Sequence, residues 1–334
     1  MSNEKEEKEL SPQDDEIQAE LIRKANRSKR LASILPYAGM VGVILFFFIA
    51  TKGKFLESAN LALLLNQCFI TLTVMSGAIF VYTLGNLDMS VGSVMALSAF
   101  VMTKMFLKGL PFIVCFLTSI LLCIALFSIT AIAKNKLGII PFVASLCIMN
   151  ICTGIVVVGI KQGDYTFPYS KISYLNTVPV KLVVLLTMLI IGYVLYNYTS
   201  FGKELKAIGG SPTVARISGI NVEKLNRLAY ACLGIAVGVA SFFAVLRGGK
   251  ADTSIGSGIN LNIMVGIVLG GFPLYGGANC RYSAPFVGAI TVTALTNGLS
   301  MLGQASAVGY GIRGLLFIII VGLTYEKSKG NLIS

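Results

Sequence analysis

Residues 111–133 read PFIVCFLTSILLCIALFSITAIA, a stretch with no charged side chain. A membrane helix needs about 20 mostly apolar residues to cross the hydrocarbon core. This stretch meets that requirement, and it has neighbours on both sides. Further apolar runs fall at 31–50, 60–83, 90–107, 138–160, 178–197, 225–246, 260–279, 283–303 and 306–324. The pattern predicts an all-α, polytopic membrane bundle of about ten transmembrane segments. Several runs contain Gly or polar residues, so one or two of them are expected to be broken or re-entrant.

Composition agrees. Of the 334 residues, 55% are hydrophobic and 13% charged, with a mean hydropathy of +0.80. Soluble domains carry about 25% charged residues. The net charge is +12, but the basic residues sit in short loops between apolar runs, which speaks for lipid headgroups rather than nucleic acid. The chain has no His, and its seven Cys include no CxxC pair. Six of the Cys lie inside apolar runs and read as small packing residues. A metal site, a disulfide framework and a catalytic nucleophile–base pair are therefore not expected.

Charge also sets the expected orientation. With the N-terminus inside, fifteen Lys and Arg fall on inner segments and ten on outer ones. This bias places both termini in the cytoplasm. The chain divides into an N-terminal tail (1–30), a membrane domain (31–325) with a long inner loop (198–224), and a short C-terminal tail (326–334). Ser11-Pro12 followed by acids predicts a short helix in the first tail. The basic residues after it would anchor on anionic lipid. No segment is large enough for an ATPase or catalytic domain, so any powered work would need another chain.

Three polar segments interrupt the apolar pattern. In Gly85-Asn86-Leu87-Asp88-Met89-Ser90-Val91-Gly92-Ser93, an acid and two hydroxyls precede a helix expected near Val91. Asp88 or Ser90 is a candidate cap for that helix. Asp88, Ser90, Gly92 and Ser93 are also candidates for the lining or gate of a solute path, because charge in a membrane segment is costly and turns toward a wet interior. In the loop at 201–220, a Gly209-Gly210 break precedes Ser211-Pro212. A short helix should then run to Gly219, carrying Thr213, Ala215 and Arg216. Such a helix is unstable alone and must lie against something. The third segment, Leu269 to Asn279, holds Gly270-Gly271, Pro273 and Gly276-Gly277, and predicts a tight inner turn. Gly234-xxx-Gly238 and Gly266-xxx-Gly270 have the spacing of close helix packing.

Taken in order, these segments resemble the permease subunits of bacterial sugar-type ABC importers, the ribose, xylose and galactose group. The resemblance spans roughly residues 35–325. Asp88 to Ser93 is similar to that family's D-L-S-V-G-S, 207–220 to its A-x-G-G-N-x-x-A-A-R-x-S-G-I loop, and 269–279 to its L-G-G-x-x-x-x-G-G-x-G turn. The resemblance implies a dimeric permease in the bacterial plasma membrane, formed with a second permease subunit. A separate ATPase subunit would use ATP and Mg, and an extracytoplasmic binding protein would deliver the solute. The loop with Arg216 and Gly219 would be the coupling helix, and the segment around Asp88 would lie near the pathway. Thr213 and Val214 stand where the family often has Glu and Ala, so no coupling carboxylate carries over.

Asp88 and Arg313 are the main ionisable candidates in the membrane interior, which favours a neutral hydroxylated solute, a monosaccharide first. Two other readings stay open. One keeps the importer but changes the cargo to nucleosides or branched-chain amino acids. The other is an ion-coupled secondary transporter, which would need titratable groups at mid-membrane depth.

Overall fold

In the computed structural model, the described residues are 34, 36–161, 163, 165–168, 172–273, 276–278 and 280–303, with 309, 311, 312, 314, 315 and 318 beyond them. The N-terminal helix expected after Ser11, both tails, Arg313 and most of the run at 306–324 lie outside the described residues. Within them the chain is helical, and the β structure is an isolated bridge between Thr166 and Lys250.

Among the described residues, six helices are long and apolar enough to cross a membrane. They are α2 (Ser58–Thr83), α4 (Phe112–Leu137), α5 (Pro141–Ile160), α6 (Val178–Asn197), α9 (Val222–Gly248) and α11 (Ala284–Met301). Three apolar helices are shorter: α1 (Pro36–Ala50), α3 (Val91–Leu107) and α10 (Ile259–Leu269). Amphipathic α7 (Ser200–Gly210) and the short α8 (Pro212–Ile217) fill the long loop. Nine of the ten apolar runs thus contain a helix among the described residues; the tenth, 306–324, lies mostly outside them. The run at 260–279 gives only an 11-residue one. Its helix stops before Gly270-Gly271, where Gly271 turns left-handed (φ 78°), and Pro273 prevents a restart.

The bundle is organised around α2 and α9. About three-quarters of the apolar window of each is buried, against less than a quarter for α4, α5 and α6. The outer faces of those three carry exposed Leu121, Ile155 and Ile190. A helix that is apolar on its exposed face as well as its packed face is solvated by lipid. Gly234 and Gly238 explain the contact of α9 with α4. A Cβ on either would stand 2.7 Å from the Cα of Ile124 or Ile120, so only glycine lets the two backbones approach this closely. Gly266 and Gly270 do the same for α10 against Gly288 and Ala284 of α11. Both small-residue motifs therefore build packing.

Of the six cysteines in apolar runs, Cys68, Cys115, Cys123 and Cys152 are buried, Cys232 is half-buried and Cys147 faces outward on α5, while the loop residue Cys280 is buried as well. Two lysines lie deeper than loop residues should. Lys181, in the first turn of α6, is 9% exposed and donates to Asn66 Oδ1 at 2.5 Å. Lys134, in the last turn of α4, donates to Asn86 Oδ1 at 2.6 Å. Asn86 in turn donates to Asn226 Oδ1, and Asn226 to Asn135 Oδ1, each at 2.9 Å. This amide chain ties α4 and α9 to the segment after α2.

The helix α9 spans 27 residues, about 40 Å at 1.5 Å per residue. It starts beside α7 and α8 and ends at the loop 249–258. These two levels are the loop end and the far end of the bundle.

Candidate functional site

The segment between α2 and α3 descends from the loop end into the bundle. Its first residues face the α7–α8 loop. The Thr83 carbonyl accepts the Gly277 N–H at 3.1 Å. A Cβ on Gly209 would overlap that carbonyl and sit 2.7 Å from Gly277 N. A Cβ on Gly276 would overlap the same carbonyl and approach Gly85 N at 2.6 Å. Gly276 and Gly277 also hold φ of 71° and 105°, which a side chain resists. Three separate polar segments thus meet backbone to backbone around one carbonyl. Tyr196 seals the cluster: its hydroxyl bonds Thr83 Oγ1 at 2.9 Å, and Lys206 lies 4.4 Å from its ring centre.

Deeper in the segment, Asp88 is 1% exposed. Its Oδ1 accepts from Ser90 N–H at 2.8 Å and from Ser90 Oγ at 2.6 Å. Among the described residues, Oδ2 has no hydrogen-bond partner. The expectation that Asp88 or Ser90 caps α3 is corrected here. The Asp88 carboxylate folds back onto Ser90, and the Ser90 side chain makes no cap bond to the helix. The free Gly92 N–H at the start of α3 is taken instead by Asn260 Oδ1 at 2.8 Å, while Asn260 Nδ2 donates to Met89 O. Ser93 Oγ donates to Ser90 O at 3.1 Å. A Cβ on Gly92 would overlap the Gly256 carbonyl, so the backbones before α3 and α10 touch.

Asp88→Ala removes the acceptor and strands two Ser90 donors in a buried site, at about 1–3 kcal/mol each. Asp88→Asn keeps an oxygen there. Thermal unfolding of the purified protein in detergent should show the Ala variant well below the Asn variant. Equal midpoints would show that the Ser90 contacts contribute nothing.

The second segment departs from its reading. The Gly209-Gly210 pair does not break the chain, because α7 runs through it and ends at Gly210. Gly209 is locked in the cluster, while Gly210 has open space where a Cβ would go. The Ser211 side chain then accepts Val214 N–H at 3.4 Å, and α8 follows with Pro212 in its first turn. Gly219 ends it at φ 82°, with the Ile220 N–H bonding Ala215 O. Only Ala215 of α8 is buried. Thr213 and Arg216 are exposed, and so are the apolar Val214 at 62% and Ile217 at 82%. In the third segment, Gly270 abuts the Ala284 carbonyl and belongs to α10–α11 packing, whereas Gly276 and Gly277 join the cluster. Asn279 lies outside the described residues.

A family profile described as the branched-chain amino acid transport system permease component matches residues 60–321, most of the chain. The chain belongs to this family. The permease is similar to the ribose import permease of Bacillus subtilis, at 28% identity over 88% of this chain and 92% of the relative. It is also similar to the D-allose transport system permease of Escherichia coli, at 26% identity over 86% and 90%. The xylose transport system permease of Haemophilus influenzae is 26% identical over 86% and 94%. No solved structure matches the chain.

Sequence reading missed two features of the permease. Asn260 was hidden inside an apolar run, although a lone amide in a membrane helix is itself a signal of interhelical bonding. The other is a cavity of about 360 Å³ at the far end, between α2, α3, the end of α9, the loop 249–258, α10 and α11. Lys250 and Asp252 pair across 3.6 Å at this cavity. Burial alone would raise the Asp252 carboxyl, but two bonds from Ser254 and the Lys250 charge hold it below its ordinary value.

Proposed function

We propose that this chain is the membrane-spanning subunit of a bacterial ABC importer for a monosaccharide. It would work as a dimer with a second permease subunit in the plasma membrane. About ten segments cross, with both termini and the α7–α8 loop in the cytoplasm. A separate ATPase binds Mg and ATP below, and an extracytoplasmic binding protein loads solute at the far end.

One observation carries this reading: α8 displays Val214 and Ile217 to its surroundings, while α7 behind it is locked into the Thr83–Gly277 cluster. A surface helix with exposed apolar residues invites a protein partner. A helix of six residues has little stability of its own, so it holds its shape by what it touches. Movement of a partner bound to α8 would pass through Gly209 to the segment that carries Asp88. Alternating access of this kind uses rigid displacement of packed elements. The sugar assignment draws on the ribose, allose, xylose and fructose importers among the relatives. It also fits a cavity whose wall includes neutral polar groups such as Gln67, Thr71, Thr296 and Ser300.

The test is uptake. A strain lacking the gene is assayed with labelled ribose, xylose, galactose, a nucleoside and leucine. Loss of one sugar, restored by the gene, is the expected result. Intact sugar uptake with loss of the nucleoside or leucine would move the cargo and keep the importer.

A further inference from the structure

Two long helices of the permease are each followed by an irregular segment and a shorter helix. The 26-residue α2 is followed by a kinked segment and the 17-residue α3. The 27-residue α9 is followed by the loop 249–258 and the 11-residue α10. The two irregular segments meet. Gly92 and Gly256 touch through their backbones, and Asn260 bonds both sides of the start of α3. Paired broken helices in a transporter mark the place where backbone and side chains turn toward a solute. The far-end cavity opens beside this junction, with Met95, Gly256 and Ile259 in its wall.

We propose that this cavity is a solute-holding chamber within a single subunit, built to take one neutral sugar ring. This rests on the importer reading above and names the residues that would discriminate its cargo. At about 360 Å³ the chamber lies at the small end of ligand pockets, about 300–1,000 Å³, so it suits one ring rather than a chain of them.

Its chemistry is specific. Gln67 and Thr71 stand four residues apart on one face of α2, and Thr296 and Ser300 four apart on one face of α11. The three hydroxyls already spend their proton on the helix backbone: Thr71 on Gln67 O at 3.2 Å, Thr296 on Val292 O at 2.8 Å and Ser300 on Thr296 O at 2.9 Å. A hydroxyl has one proton and two lone pairs, so each presents acceptor capacity to the chamber. Solute O–H groups supply the matching donors. The Gln67 amide and the Arg247 guanidinium, also in the wall, supply donors for solute oxygens. At the rim, the Lys250–Asp252 pair largely cancels its own charge. A polyhydroxylated neutral ring uses both kinds of group, and an apolar amino acid side chain would leave them unsatisfied.

The experiment reconstitutes the complete complex in liposomes with its ATPase and binding protein. Uptake is measured for whichever of ribose, xylose or galactose the wild type imports, and for monodeoxy analogues of that sugar. The variants are Gln67→Ala, Thr71→Val, Thr296→Val and Ser300→Ala. The quantity read is the rate for the parent sugar divided by the rate for each analogue. That ratio does not depend on how much protein folds, and the binding protein's own preference is common to all variants. In at least one variant, the ratio for one ring position should fall by about ten-fold, because the lost hydroxyl and the lost acceptor are the same interaction. Ratios identical to wild type in all four variants would overturn the chamber. A wild-type complex that imports no sugar with ATP would instead overturn the importer reading beneath it.

Discussion

Gly209→Ala should reduce solute uptake by more than about ten-fold, while its neighbour Gly210→Ala should stay within about two-fold of wild type. Both glycines lie near the end of α7, where alanine is intrinsically favoured over glycine by about 1 kcal/mol. At Gly210 nothing opposes that gain, because no atom lies within 4 Å of the added Cβ. At Gly209 the Cβ would overlap the Thr83 carbonyl and press on Gly277 N, both backbone atoms with no rotamer to move. Forced overpacking costs about 1–3 kcal/mol and shifts the backbone. The shift would fall on a backbone contact that joins the loop to the segment of Asp88. Uptake should be measured beside membrane abundance by immunoblot. Equal uptake by the two variants would remove the Thr83–Gly209–Gly277 contact from the working cycle.

Ile217→Asp should abolish co-purification with the ATPase subunit while leaving the permease in the membrane. Ile217 is 82% exposed, so its replacement removes no internal packing. In a partner's pocket, however, a central apolar anchor accounts for about 2 kcal/mol or more. A carboxylate there adds desolvation without a partner. The combined effect corresponds to a loss of affinity of at least about thirty-fold. Thr213→Ala, on the same helix, is exposed as well but polar, and should bind within about three-fold of wild type. Retained co-purification of the Ile217→Asp variant would mean that the ATPase docks elsewhere.

The helices were legible because lipid solvation writes itself into composition: an uncharged run such as 111–133 has no other use. The ends were less legible. The Gly209-Gly210 pair looked like a break, yet a helix tolerates glycine at its last turn when packing demands the missing side chain. The three polar segments were visible one at a time, but their convergence on the Thr83 carbonyl is tertiary and leaves no periodic trace. Asn260 acts across 168 residues on Gly92, a pairing that no local pattern announces. The cavity went unread, although Gln67 with Thr71, and Thr296 with Ser300, each repeat at helical spacing inside apolar runs. Buried Lys181 and half-buried Lys134 were grouped with loop residues because each lies within a turn of a helix end, where sequence cannot tell a snorkelling amine from a packed one.

The measurement that bears most directly on the account is accumulation of labelled sugar by proteoliposomes holding the permease with its ATPase. Loaded binding protein is supplied on the receptor side, ionophores collapse all ion gradients, and ATP is given or withheld. The account predicts accumulation that requires ATP hydrolysis and the binding protein and is indifferent to the ionophores. Accumulation that follows an imposed proton or sodium gradient without ATP would contradict it.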